Sequence, residues 1–271
     1  MYRQELLNQY KKQQDNICLS KVLDKIEASK NKEKIENTDF LDMYQVALVK
    51  NFLKKNDTNN SFGKSVLYGG YEEAERKVLI AYPDKYDDNM LEKNYTKILK
   101  IVRVTLPEEE KGKYTHRNYL GGIIKLGLSR EKVGDIIVYD SGADIIVVED
   151  FANILKEQLP SLTRFSNSTI EVKEITELIH QEVKVEEIKV IVPSLRLDNF
   201  VSDLARTSRN KATQIIAQER VFINGQLETK TSKQIKLNDI ITIRGKGRFV
   251  VKGFEGTTRS GRTVVIIEKF V

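Results

Sequence analysis

The chain has 271 residues, 40% of them hydrophobic and 31% charged, enough apolar material for two folded domains or one large one. No apolar run approaches the roughly 20 residues of a membrane-spanning helix, and the opening MYRQELLNQYKKQQDN lacks the apolar core of a signal peptide. One cysteine, Cys18, and two histidines, His116 and His180, exclude an internal disulfide and supply no ligand set for structural zinc, so a cytoplasmic protein without metal or other cofactor is expected.

Residues 1–60 are rich in Lys, Asn and Gln and read as a helical N-terminal subdomain. Thr38 or Asp39 is placed to cap a helix in which Phe40, Met43, Tyr44, Ala47, Leu48 and Leu53 share one broad face. Asn56–Ser61 reads as a loop.

Residues 61–185 read as an α/β domain. Val78–Tyr82 is a short apolar strand stopped by Pro83, and Ile98–Leu106 is a second, ended by Pro107. Tyr119–Leu128 has helical spacing. Ile136–Tyr139 and Ile145–Val148 are strands separated by the turn residues Asp140-Ser141-Gly142-Ala143. Asp150 is placed to cap a helix running to Leu159 ahead of Pro160, and Ser168–Leu178 resumes a strand pattern. From Ile98 onward the order is β-α-β-β-α-β, the split arrangement of a ferredoxin-like domain. Val183–Val192 follows as a connecting strand.

Residues 186–271 carry the charge. Between Ser194 and Val271 there are 15 Lys and Arg against 7 Asp and Glu, a net of +8, whereas the rest of the chain nets −2. Such a concentrated basic block is the footprint of a nucleic-acid-binding module. Leu197, Phe200, Val201 and Leu204 fall on one helix face. Ser208 is a good N-cap for a second helix with Ala212, Ile215 and Ile216 inward. Val221–Ile223 is a strand, and Asn224-Gly225 the preferred pair for a tight hairpin. The start of the second helix, with free N–H groups and the positive end of its dipole, is ready for an anion. Arg206, Arg209 and Lys211 surround it, Arg196 and Arg220 flank it, and Lys246 and Arg248 extend the basic track. Rigidly spaced cations of this kind suit the phosphates of folded RNA. Asp198 is placed to cap the first helix or to orient Arg196. Farther on, FVVKGFEGTTRSGRTVVIIEKF reads as a hairpin with Arg259 and Arg262 at its tip.

The sequence from Ser194 to Arg244 resembles the RNA-binding domain first defined in ribosomal protein S4. The match rests on Arg196-Leu197-Asp198, Ser208-Arg209-Asn210-Lys211-Ala212 and Val221-Phe222-Ile223-Asn224-Gly225. It departs from that pattern at Glu219, where glycine is usual, and at Asn238-Asp239, where Gly-Asp is usual. Taken with THRNYLGGIIKLGLSREKVGDIIV at Thr115–Val138, the chain resembles the YlmH family. That resemblance implies an α+β protein whose α/β N-terminal part is joined to a terminal RNA-binding domain. It further implies binding to ribosomal RNA or tRNA on the large ribosomal subunit, in quality control of stalled peptidyl-tRNA. Charge, helix geometry and this resemblance together give the expected RNA-binding residues Arg196, Arg206, Ser208, Arg209, Lys211, Arg220, Asn224, Lys246 and Arg248.

Two other functions deserve comparison: an RNA-modifying enzyme using the α/β part, and a protein-recruiting adaptor linked to cell division. Against the enzyme, there is no GxxxxGK[ST] loop, Cys18 has no histidine near it in sequence, and no nucleophile–base pair is suggested by spacing. His116 and Asp135 read as structural, and Gly121-Gly122 as a close packing contact. The strands Ile136–Tyr139 and Ile145–Val148 offer only Tyr139 for base stacking and Ser168–Leu178 offers no aromatic, so this sheet reads as structural or protein-contacting. Neither a catalytic residue nor a small-molecule substrate is expected.

Overall fold

The computed structural model describes residues 2–56, 62–86, 90, 93–94, 97–179 and 185–270. The expected Asn56–Ser61 loop lies, apart from Asn56, outside them, as does His180. The chain divides into two compact units, Met1–Gln181 and Glu182–Val271.

In the first unit, helices α1 (Tyr2–Leu7), α2 (Gln13–Lys32) and α3 (Met43–Asn56) accompany strands β1 (Glu36–Asn37), β2 (Lys64–Tyr68) and β3 (Val78–Tyr82). The strands form an antiparallel sheet of order β1-β3-β2. β3 is buried on both faces. Its Leu79 and Ala81 join Leu19, Val22, Val49 and Phe52 beneath the helices, and its Val78 and Ile80 join Leu99 and Ile101 on the opposite side. A strand buried on both faces needs an unbroken apolar run, which is how Val78–Tyr82 reads. The N-terminal helices therefore share β3 with the domain that follows, and the expected division at residue 60 does not separate two cores.

The cap of α3 is Asp42, not Thr38 or Asp39. Asp42 Oδ1 accepts from the Gln45 amide and Gln45 Oε1 accepts from the Asp42 amide, each at 2.9 Å. The Thr38 hydroxyl instead accepts from the Leu79 amide, tying β1 to β3.

The remainder of this unit is β4 (Leu99–Thr105), α4 (His116–Lys125), β5 (Val133–Tyr139), β6 (Gly142–Val148), α5 (Glu149–Gln158) and β7 (Thr169–Glu174). The sheet order is β5-β6-β4-β7, antiparallel throughout. The first strand of the βαββαβ unit thus lies between the third and the fourth, the ferredoxin-like arrangement. Val148 occupies the N-cap of α5, and Asp150 lies in its first turn, where a carboxylate suits the helix dipole but does not cap it. Gly122 of α4 has a packing role. A Cβ there would meet Leu162 at 3.0 Å and Phe165 at 3.2 Å, whereas Gly121 faces open space. One buried ion pair pins the register of β4 against β6. Arg103 donates to both carboxylate oxygens of the opposing Asp144 at 2.7 and 2.8 Å, and the Tyr139 hydroxyl and Ile179 amide complete the shell. With every partner in place, a fully buried carboxylate is tolerable.

The second unit contains β8 (Val185–Val192), α6 (Leu197–Leu204), α7 (Arg209–Ala217), β9 (Val221–Ile223), β10 (Gln226–Leu227), β11 (Ile240–Ile243), β12 (Gly247–Thr257) and β13 (Thr263–Phe270). Its six-stranded sheet has the order β10-β9-β11-β12-β13-β8. β8 is more than a connection: it pairs with β13 from Val185 to Val192 and forms one edge of the sheet. Helices α6 and α7 cover one face. Leu197, Phe200, Val201, Ala212, Ile215 and Ile216 pack there on alternate residues of the strands.

Among the described residues no helix is long and apolar enough to cross a membrane, and no group of His, Cys, Asp and Glu is placed to hold a metal ion. Cys18 is buried on α2, and that burial, reinforced by Asp42 and Asp15, pushes its thiol up to about 12. Alkylation of the native protein by iodoacetamide at pH 8 is expected to run at least about a hundredfold slower than in denaturant, because the thiolate is the reactive form; equal rates would show an accessible thiol.

Candidate nucleic-acid interface

The α6–α7 turn begins the site. α6 ends at Leu204, Arg206 takes a left-handed backbone at φ 50°, and Ser208 caps α7 by accepting from the Lys211 amide. Arg209 and Lys211 lie in the first turn of α7, which has no acidic residue. Cations at the positive end of a helix are electrostatically disfavoured unless an anion joins them.

Beside this turn is a cleft of about 270 Å³. Four cations from separate segments line it: Arg206 from the turn, Lys211 from α7, Arg220 from the approach to β9, and Lys246 from the β11–β12 turn. Gln214 and Gln218 add amides, and Ala205, Ile215 and Ile243 form apolar walls. None of the described residues lining it is acidic. Arg220 is set in place by donating to the Arg244 carbonyl at 2.8 Å.

The other candidate residues are distributed differently. Arg196 and Arg209 converge on Asp198, which is 3% exposed. Arg196 donates to both of its oxygens at 3.1 and 3.0 Å, and Arg209 donates twice to Oδ2 at 3.1 and 2.9 Å. Burial raises the Asp198 carboxyl, but the two guanidiniums outweigh it and hold the group below its ordinary value. Arg209, more than half exposed, keeps part of its guanidinium available. Asp198 is thus an orienting residue, as expected for Arg196. Its reach to Arg209 had no local signal, because the two lie on different helices.

Two expected contacts lie outside the cleft. Asn224 stands at the β9–β10 hairpin with φ 52°, next to Gly225 at φ 73°. Its side-chain oxygen accepts from the Ile240 amide and its amide group donates to Asp239, so it braces the fold. Arg248 does not line the cleft; its guanidinium stacks over the Phe270 ring, 4.8 Å from the centroid. Conversely, Gln214 and Gln218 were missed, although their spacing from Lys211 places all three on one helix face.

In the first unit, Asp135 has a structural role. It accepts from the Tyr71 hydroxyl and from the Glu75 and Arg76 amides, latching the β2–β3 connection to β5. His116 is exposed at the start of α4, its basicity lowered by partial burial and by Arg130.

Comparison with known proteins matches residues 92–178 to a family described as a putative RNA-binding domain in YlmH, and residues 195–241 to the S4 domain. A relative, ribosome-associated protein quality control protein P2 of Bacillus subtilis (strain 168), is 29% identical over 237 residues, covering 86% of each chain. The chain thus joins the putative RNA-binding domain found in YlmH to a C-terminal S4 domain. A solved structure described as cell division protein ylmH from Streptococcus pneumoniae is 21% identical and covers 63% of this chain and 98% of that one, with a TM-score of 0.46.

Both departures of this chain from the S4 pattern fall at left-handed backbone positions, Glu219 at φ 58° and Asn238 at φ 64°. A non-glycine residue there costs on the order of 1–2 kcal/mol. Glu219→Gly is therefore expected to be more stable than Glu219→Ala by roughly 1 kcal/mol in urea unfolding, a comparison in which both variants lose the same side chain.

Asp198→Asn is expected to lower stability at neutral pH by about 1.5–3 kcal/mol, the range for hydrogen bonds to charged groups. The folded-state pKa of Asp198 is depressed, so its contribution is present above the unfolded carboxylate value and is lost as pH falls through the folded one. The gap between wild type and variant should close in acid; a gap independent of pH would exclude the ion pairs as its cause.

Proposed function

We propose that this protein is a ribosome-associated RNA-binding factor whose second unit grips the RNA backbone with the cationic cleft between α7 and the β11–β12 turn. The observation carrying this reading is the convergence of Arg206, Lys211, Arg220 and Lys246 with no acid lining the cleft. A sugar-phosphate backbone supplies the anions that the first turn of α7 lacks. Fixed spacing on a helix pair and two strand ends favours a folded RNA over a flexible polyanion. Arg196 and Arg209, held by Asp198, offer a second contact row beside the cleft.

The relative's name, ribosome-associated protein quality control protein P2, supports extending the reading to the ribosome. The RNA in this proposal is ribosomal RNA, tRNA or both, on the large subunit, in quality control of stalled peptidyl-tRNA. The protein acts by binding, without catalysing a reaction. The engagement of Asp135 by Tyr71 and two backbone amides supports this over an RNA-modifying enzyme, since that carboxylate is committed to holding the fold.

Lys211→Ala with Lys246→Ala removes two exposed side chains and should leave the unfolding midpoint unchanged. The double variant is expected to bind structured ribosomal RNA more weakly. The slope of log K against log salt should become shallower by roughly 1.4–1.8, as each lost phosphate contact removes about 0.7–0.9. It should also leave the large-subunit fraction on sucrose gradients. Unaltered affinity and slope would reject the cleft as the RNA site.

A further inference from the structure

The second unit is a two-layer structure with α6 and α7 on one side of the sheet. Strand alternation sends Phe249, Val251, Val265 and Ile267 toward the helices. The residues between them face the other way. Across four strands one outward row is Leu227, Phe222, Thr242 and Arg248 in direct register. Continued one residue past the Phe249–Lys269 pair, it reaches Phe270, whose own partner is Val185. Phe222 and Thr242 are buried, so the row is closed at one end; Arg248, Phe270 and Val185 form its accessible end.

We propose that Arg248 and Phe270 form a stacking subsite for an unpaired RNA base, an assignment that rests on the reading of this unit as RNA-binding. Three observations carry it. The Arg248 guanidinium lies 4.8 Å from the Phe270 ring centroid, and it forms no hydrogen bond or ion pair among the described residues. An arginine in contact with an aromatic ring and bound to no acid presents a planar cation, the surface on which bases stack in single-stranded recognition. The row itself holds no carboxylate. The nearest acid on the same face of β13, Glu268, is paired with Lys252 at 3.2 Å. Finally, Lys246 of the cleft, in the β11–β12 turn, lies two residues before Arg248 on β12, so their backbones are at most ~7 Å apart. A phosphate held at Lys246 therefore brings the adjoining nucleotide to the sheet end where Arg248 and Phe270 lie. The cleft holds backbone, and the stack holds a base that is free of a duplex.

The test uses the full chain and two probes: an RNA hairpin with 2-aminopurine in its loop, and a blunt duplex of the same stem. Arg248→Lys keeps the charge and removes the plane; Phe270→Leu keeps apolar bulk and removes the ring. Each is expected to weaken hairpin binding about tenfold, to abolish the 2-aminopurine fluorescence change, and to leave both duplex affinity and salt slope unchanged. Wild-type behaviour of Arg248→Lys toward the hairpin overturns the subsite. Equal losses on hairpin and duplex overturn it too, by making Arg248 a phosphate contact. Arg248→Lys alters no core residue, so it decides the matter even if Phe270→Leu fails to fold. The Lys211→Ala, Lys246→Ala variant run alongside separates the two readings. Its weakening with intact stacking variants removes only the subsite, whereas its wild-type binding removes RNA recognition by the cleft.

Discussion

A single carboxylate organises the basic unit. Asp198, almost fully buried, ties Arg196 at the start of α6 to Arg209 at the start of α7. Without it, the first turn of α7 would bring cations against the positive end of a helix with nothing to order them. With it, two guanidiniums are fixed in direction while their outer surfaces stay in solvent, and the helix pair is locked in the geometry that sets Arg206 and Lys211 over the cleft. One internal acid orders the cations, yet the positive potential of the unit persists because the cleft itself is lined by none.

The first unit uses buried charge for a different end. Asp144 is enclosed by Arg103, Tyr139 and the Ile179 amide, and Asp135 by Tyr71 and two backbone amides. In both places the carboxylate's partners belong to the fold, so the pair specifies register and loop position. Arg209, Lys211 and Lys246 differ in being exposed on a rigid frame. That contrast, together with the S4 match over 195–241, supports the proposal that the second unit grips RNA through its cleft.

Much of the fold was legible because its signals are local. The strand at Val78–Tyr82, the β-α-β-β-α-β order from Ile98, the Ser208 cap and the Asn224-Gly225 hairpin each follow from a few neighbouring residues and from the period of apolar positions. Capping was less secure where several short polar residues lay together. Among Thr38, Asp39 and Asp42, only the position of Gln45 three residues on distinguishes the true cap, and Thr38 was drawn off by a strand partner 41 residues away. β8 read as a connection because its sequence neighbours do not reveal that its partner is β13 at the far end of the unit.

For the site, the sequence by itself determined the charge, the two-helix motif and the identity of most of the cations. These depend on composition and on spacing within single elements. Tertiary structure decided how the cations divide. It gathered Arg206, Lys211, Arg220 and Lys246 into one cleft, gave Arg196 and Arg209 to Asp198, made Asn224 a brace, and turned Arg248 onto the opposite face against Phe270. The physical reason is that a side chain's role depends on which partner lies across the helix pair or across the strand. Those partners are set by packing between segments far apart in the chain.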